Sequence, residues 1–261
     1  MDSEEKNTTS NTASSSVILV PSPAEPDSDS RLERAVSQRT SSVVIGFFTL
    51  PGETRNNIYR RALVAAHPLY LFQDAGPDSR VETFAPDRPF QSLALLHTSR
   101  QVYDEARAVL YGSNRFTLVD TTPHQVDLLQ SFLNRIGAIN AGLLSYLCIN
   151  FPAVEIVEGQ PGNVMLREDG LRSLKLLQQN CAGLKTLEIL VHKQNSSGLT
   201  KASHDDSQSL RTALSQIDVQ LRAISSLKKI LVRFYDGPSS PLVTETMKGF
   251  GWVICLGDKG Q

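Results

Sequence analysis

The chain has 261 residues, 40% of them apolar and 20% charged, with a formal net charge of −1. That length supports one large domain or two small ones with a sizeable core. The balance of 26 Lys and Arg against 27 Asp and Glu excludes a polycation that coats nucleic acid. No apolar run reaches the ~18 residues of a membrane span, and the start, Met1-Asp-Ser-Glu-Glu-Lys, lacks the pattern of a secretory signal. Cys148, Cys181 and Cys255 are odd in number, far apart and in no metal spacing. They fit a reducing compartment, so the expected location is cytoplasmic or nuclear.

Residues 1–42 hold 15 Ser or Thr and no aromatic residue, and their acids outnumber their bases by three. Such a segment cannot bury enough apolar surface to offset its chain entropy and is expected to be a disordered acidic tail. Within it, Val17, Ile18, Leu19 and Val20 precede Glu25, Asp27 and Asp29. Four β-formers beside acids resemble a SUMO-interacting motif, which would add a strand to a partner's sheet edge; a chance apolar tetrad is the other reading. Arg34 before Ser37 and Arg39 before Ser42 have the form of basophilic kinase sites, a pattern short enough to recur by chance.

Ordered structure is expected from Val43. Pro51 suits the first helical position and Glu53 the positive end of the dipole, so a helix is predicted from Pro51 to before His67-Pro68, with Ile58 and Ala62 as its apolar i,i+4 pair and Tyr59 and Leu63 alongside. Leu69-Tyr70-Leu71-Phe72 and Arg80-Val81-Glu82-Thr83-Phe84 flank a Gly-Pro turn and read as a hairpin. A long helix is predicted from about Phe90 to Tyr111, with Leu95, Ser99, Val102, Ala106 and Val109 as its stripe and Gly112 as a left-handed cap. Residues 115–119 read as a strand.

Three blocks in this region, Leu50-Pro51-x-Glu53-x-Arg55-x-x-Ile58-Tyr59, then Leu95-Leu96-x-x-Ser99-Arg100-Gln101-Val102-Tyr103-x-Glu105-Ala106, then Leu110-Tyr111-x-x-Asn114-x-Phe116, resemble the F-box-like family of filamentous fungi. Thr54 stands where that pattern has an apolar residue, and Ser99 where it has Cys. The resemblance implies docking on the Skp adaptor of a cullin ubiquitin ligase, with Leu50, Pro51, Ile58 and Leu63 as the adaptor-binding residues and the rest of the chain presenting a target. A hairpin separates the two helices where an ordinary F-box has a short turn, so the apolar face of the first helix could instead pack on the second.

Beyond residue 120, three stretches share a pattern: Leu144-Ser145-x-Leu147-x-Ile149, Leu184-Lys185-x-Leu187-x-Ile189 and Leu227-Lys228-x-Ile230-x-Val232, with starts 40 and 43 residues apart. Each alternates as a strand does and each follows a helical stretch: 126–136, 171–180 and 207–224. A helix near 243–250 and a strand at 252–255 make a fourth unit. Such units stack with parallel strands and right-handed crossovers. The period is longer than the ~20–29 residues of leucine-rich repeats, so the likeness to that architecture is irregular, and a plain α/β layer gives the same fold class. The loops at 158–162 and 193–206 are Gly-, Ser- and charge-rich and lie where parallel sheets bind partners, or are plain surface connections.

Catalytic patterns are absent: there is no Gly-x-Ser-x-Gly elbow, phosphate loop, dinucleotide fingerprint or His-Glu-x-x-His. The five histidines fall in separate elements, and the run Ser203-His204-Asp205-Asp206 cannot converge as a triad; Asp205 or Asp206 more naturally caps the next helix. The cysteines read as small core residues. The expectation is an α/β protein (α+β being the alternative), with a tail at 1–42, an F-box-like region at 43–120, and a helix–strand layer at 121–261 packed with it as one globule. The expected function is non-enzymatic protein interaction, as a ligase substrate receptor or as an F-box-derived scaffold that does not bind the adaptor. An enzyme of unrecognised type is a third reading. Protein partners are expected, with no nucleic acid, membrane, small-molecule ligand, metal or cofactor.

Overall fold

Helices and strands alternate along the chain as an α/β protein requires. A computed structural model describes residues 46–73, 80–86, 90–119, 124–156, 164–192, 207–235 and 240–257, all within one unit, Ile45–Gln261. The tetrad at 17–20, the kinase-like sites, the turn at 74–78 and the loops at 158–162 and 193–206 lie outside these residues.

A 3-10 turn (Phe47–Thr49) and α1 (Gly52–Leu63) lead to the hairpin β1 (Leu69–Gln73) and β2 (Val81–Phe84), and a second 3-10 helix (Phe90–His97) and α2 (Arg100–Ser113) return the chain to β3 (Phe116–Leu118). Next come α3 (Gln125–Ala141), β4 (Tyr146–Asn150) and a short hairpin of β5 (Val154–Ile156) and β6 (Val164–Leu166). Helix–strand pairs complete the chain: α4 (Glu168–Asn180) with β7 (Thr186–Val191), α5 (Ser207–Arg222) with β8 (Lys229–Phe234), and α6 (Pro241–Gly249) with β9 (Val253–Leu256).

One seven-stranded sheet, in the order β2-β1-β3-β4-β7-β8-β9, runs through both halves of the expected division at residue 120. Only β1 and β2 pair antiparallel in it. The three similar stretches are lateral neighbours in register: Leu147 pairs Leu187 and Leu187 pairs Ile230, while Ile149 pairs Ile189 and Ile189 pairs Val232. Each unit therefore presents the same pattern positions to the same layer of the core.

From β1 onward every crossover adds its strand on the same side of the last one. Because such crossovers are right-handed, all their helices fall on one face of the sheet. There Leu128 and Leu129 of α3, Leu174 and Leu177 of α4, Leu214 and Ile217 of α5 and Val243 and Met247 of α6 bury Leu71, Leu118, Leu147, Leu187 and Val232. Side chains alternate across a strand, so Tyr70, Thr117, Tyr146, Glu188, Leu231 and Arg233 point to the other face. None of them belongs to either apolar core. Parallel sheets ordinarily have both faces covered and read as continuous apolar runs; these strands alternate, and among the described residues helices cover one face.

The helical start departs from expectation in several places. Helix α1 begins at Gly52, with Pro51 extended at the N-cap (φ −54, ψ 146), one residue before the predicted position. It ends at Leu63, before His67-Pro68 as expected. Of its expected apolar face, Tyr59 and Leu63 are buried and Ala62 packs half-buried beside them, while Ile58 is exposed. The predicted helix over 90–111 is two elements, because Ser99 is extended (φ −160, ψ 162) and its hydroxyl accepts from the Val102 N–H at 3.2 Å. Ser99 is thus an N-cap and no part of the core stripe. Gly112 lies inside α2, which runs on to Ser113 and gives way at Asn114. Helix α3 continues past Ile136 through a break at Gly137 (φ 78), a backbone region open chiefly to glycine.

Candidate functional site

Helices α1 and α2 pack through a core of their own, in which Tyr59 and Leu63 meet Val102, Ala106, Val109 and Leu110. The Phe47 ring closes one end, edge-on to Tyr59 at 5.8 Å between centroids. Polar residues then lock the pair. The Arg55 guanidinium donates from Nε and Nη2 to the two oxygens of Glu105, each at 2.8 Å, and from Nη1 to the Leu50 carbonyl at 2.6 Å. Glu105 also accepts from the Tyr59 hydroxyl at 3.0 Å and from Gln101 Nε2 at 3.0 Å. A bidentate Arg–carboxylate pair fixes both orientation and distance. Behind it, buried Asn114 donates to Leu63 O (2.9 Å) and Leu110 O (2.8 Å) and accepts from the Ala65 N–H (2.7 Å).

The polar residues that carried the resemblance, Arg55, Tyr59, Glu105 and Asn114, are therefore spent on holding α1 to α2. Of the four adaptor-binding residues expected from the pattern, Leu63 is 2% exposed and lies in this small core. Ile58 is 38% exposed. Pro51 is exposed and Leu50 half-buried.

The Arg55 guanidinium holds the Glu105 carboxyl at about 2, and burial together with the Glu105 hydrogen bond pushes the Tyr59 phenol up to about 12. The carboxyl is depressed on folding, so its stabilisation is complete above its ordinary value near 4.5 and is lost as pH falls from there towards about 2. The phenol is raised, so its contribution is complete below 10 and fades as pH climbs towards about 12. Thermal midpoints measured against pH are expected to fall at both ends. Glu105→Gln should remove the acid arm, and an unchanged acid arm in that variant would show that Glu105 is not its source.

On the open face of the sheet the Tyr146 hydroxyl donates to Glu188 Oε2, and Arg233 Nε donates to Glu188 Oε1 at 2.6 Å. Arg115 lies over the Tyr146 ring, 5.5 Å from its centroid. Burial pushes the thiols of Cys148 and Cys181 up to about 12, leaving both protonated and poorly nucleophilic.

His67 lies between α1 and β1, His97 ends the second 3-10 helix, His124 precedes α3, and His192 stacks on Tyr235 at 4.8 Å. A cavity of about 650 Å³ lies between β2, α2 and α3, with His97 and Glu82 among its lining residues. Among the described residues no group of three His, Cys, Asp or Glu is placed to hold a metal ion, and no helix is long and apolar enough to cross a membrane. Sequence reasoning missed the α1–α2 clasp and the open face, since each is assembled from residues distant in the chain. Comparison with protein families, with curated proteins and with solved structures finds no match for the chain.

Proposed function

We propose that the chain is a non-enzymatic protein-interaction protein of the cytoplasm or nucleus. In its most specific form it is a substrate receptor that docks on the Skp adaptor of a cullin ubiquitin ligase through Leu50, Pro51 and Ile58. The observation that supports this reading is the division of labour on α1. Arg55, Tyr59 and Leu63 hold the helix to α2, while Pro51 and Ile58 stay exposed and Leu50 is half-buried at the helix entrance. Such a rigidly held helix presents its free side chains without an ordering cost on binding. Leu63, being core, drops out of the docking set.

A second reading, an F-box-derived scaffold without adaptor binding, is favoured by that same burial of Leu63 and Tyr59 against α2. Co-purification with the adaptor separates the two. The receptor reading expects capture by wild type and about a tenfold loss in Leu50→Ala with Pro51→Ala. Absence of capture, or capture that the double substitution leaves unchanged, overturns the receptor and leaves the scaffold.

A further inference from the structure

The open face of the sheet has rows that follow from strand register. Tyr146 pairs Thr186 and Thr186 pairs Lys229. Arg115, one residue before the Phe116–Leu147 pair, extends that row to β3 and covers the Tyr146 ring. Arg115 and Lys229 of that row are exposed, and Lys185 and Lys228, each one residue before its strand, add two exposed cations at the same end of the sheet. The N–H groups of Lys228 and Lys229 both donate to the Lys185 carbonyl, at 2.9 and 3.0 Å. With strands ~4.8 Å apart, the four charges fall within about 15 Å of sheet width.

The connections leading into these strands, residues 114–115, 142–145, 181–185 and 223–228, contain no acid. Glu188, the buried carboxylate of this face, is taken up by Tyr146 and Arg233. Beside the cations, Leu231 is half-buried and Val253 is 42% exposed. Like charges held this close repel one another, and a partner bearing acids relieves that repulsion.

We infer that this end of the sheet docks an extended peptide segment of a target protein, rich in Asp and Glu with apolar side chains between them. The acids meet Arg115, Lys185, Lys228 and Lys229, and the apolar side chains lie over Leu231 and Val253. This rests on the reading of the chain as an interaction protein and gives the chemistry of what it binds. A single-stranded nucleic acid fits the face less well. It would need free ring faces for its bases, whereas Tyr146 is covered by Arg115, Tyr235 is stacked on His192, and Tyr70 packs on Phe84 at 6.5 Å.

The test is fluorescence anisotropy on the full chain with a fluorescein-labelled peptide of repeating Glu-Leu-Asp. Wild type is expected to bind it, with a loss of about tenfold in K185E/K228E/K229E, a smaller loss in K185Q/K228Q/K229Q, and weakening as NaCl rises from about 50 to about 500 mM. Leu231→Asp should weaken binding as well. The lysines are exposed, so the thermal melts of their variants should match wild type. No binding at about 1 mM protein, equal binding by the charge-reversed variant, or tighter binding of an oligouridylate than of the peptide each overturns the inference. Adaptor capture, measured on the same triple variant, separates the two proposals. Peptide binding in a protein that captures no adaptor removes the ligase reading alone, and adaptor capture with no peptide binding removes this one alone.

Discussion

Replacing Gly183 with alanine should lower the thermal midpoint by about 6–12 °C, the equivalent of about 3 kcal/mol in a domain of this size. Gly183 lies in the turn between α4 and β7, and a Cβ there would run into the carbonyl oxygen of Gly142 in the turn between α3 and β4. Neither backbone is free to retreat. On one side Leu184 N–H bonds Cys181 O and Lys185 N–H bonds Ser145 O, both at 3.0 Å; on the other Gly142 N–H bonds Ala138 O and Leu143 N–H bonds Asn140 O, again at 3.0 Å. A shift large enough to admit a methyl group must break part of the ladder that pairs β4 with β7. Gly249 gives the control: nothing lies within 4 Å of a Cβ at that position. Gly249→Ala at the end of α6 should therefore be neutral or stabilise by up to about 1 kcal/mol through its better helix propensity. A Gly183→Ala melt that overlays wild type would show that the two turns are not in contact.

The same pair of turns shows what could be read from the sequence. Leu144, Leu184 and Leu227 start three similar stretches; the period-2 pattern behind each start indicates a strand, and the helical stretch before each indicates that the strands stack in parallel. The structure adds the register, in which Leu147, Leu187 and Ile230 pair side by side; a one-residue slip would carry them out of the core.

The helical start was less transparent. On α1 the pairs Ile58–Ala62 and Tyr59–Leu63 both have i,i+4 spacing, and the face offered by α2 takes Tyr59, Leu63 and part of Ala62 but leaves Ile58 exposed. The stripe Leu95, Val102, Ala106, Val109 continues across Ser99 because a 3-10 turn, like an α-turn, returns a side chain to the same side about every third residue. Capping chemistry at Ser99, with its hydroxyl on the Val102 N–H, was the available sign of a break. Residues 154–156 and 164–166 form strands too short to stand out from the Gly- and Pro-containing loop between them.

The candidate sites depend most on tertiary structure. Arg55 and Glu105 are 50 residues apart, beyond any local spacing rule, and the four cations sit at the starts of three strands, β3, β7 and β8, whose order in the sheet appears only in the structure. A charge count near zero hid a segregated surface.

Asn114→Ala is expected to cost about 3 kcal/mol, again about 6–12 °C in the midpoint. The last carbonyls of any helix have no partner within it. Here one side-chain amide serves two helices at once: its Nδ2 donates to Leu63 O of α1 and Leu110 O of α2, and its Oδ1 takes the Ala65 N–H. The residue is 2% exposed, so water cannot readily replace those bonds in the alanine variant, and each buried group left unpaired costs roughly 1–3 kcal/mol before relaxation. Asn114→Asp should be worse than Asn114→Ala, because a carboxylate would set negative oxygen against two carbonyls while donating nothing. A milder Asp variant would mean that the carbonyls are satisfied some other way.

The variant also bears on function. The hydrogen bonds of Asn114 go to residues 63, 65 and 110, away from Leu50, Pro51 and Ile58. If α1 must be held by α2 to present those three residues, adaptor capture by Asn114→Ala should recover on cooling below its midpoint. The Leu50→Ala, Pro51→Ala protein should stay deficient at every temperature, since it loses the contact surface and keeps the clasp.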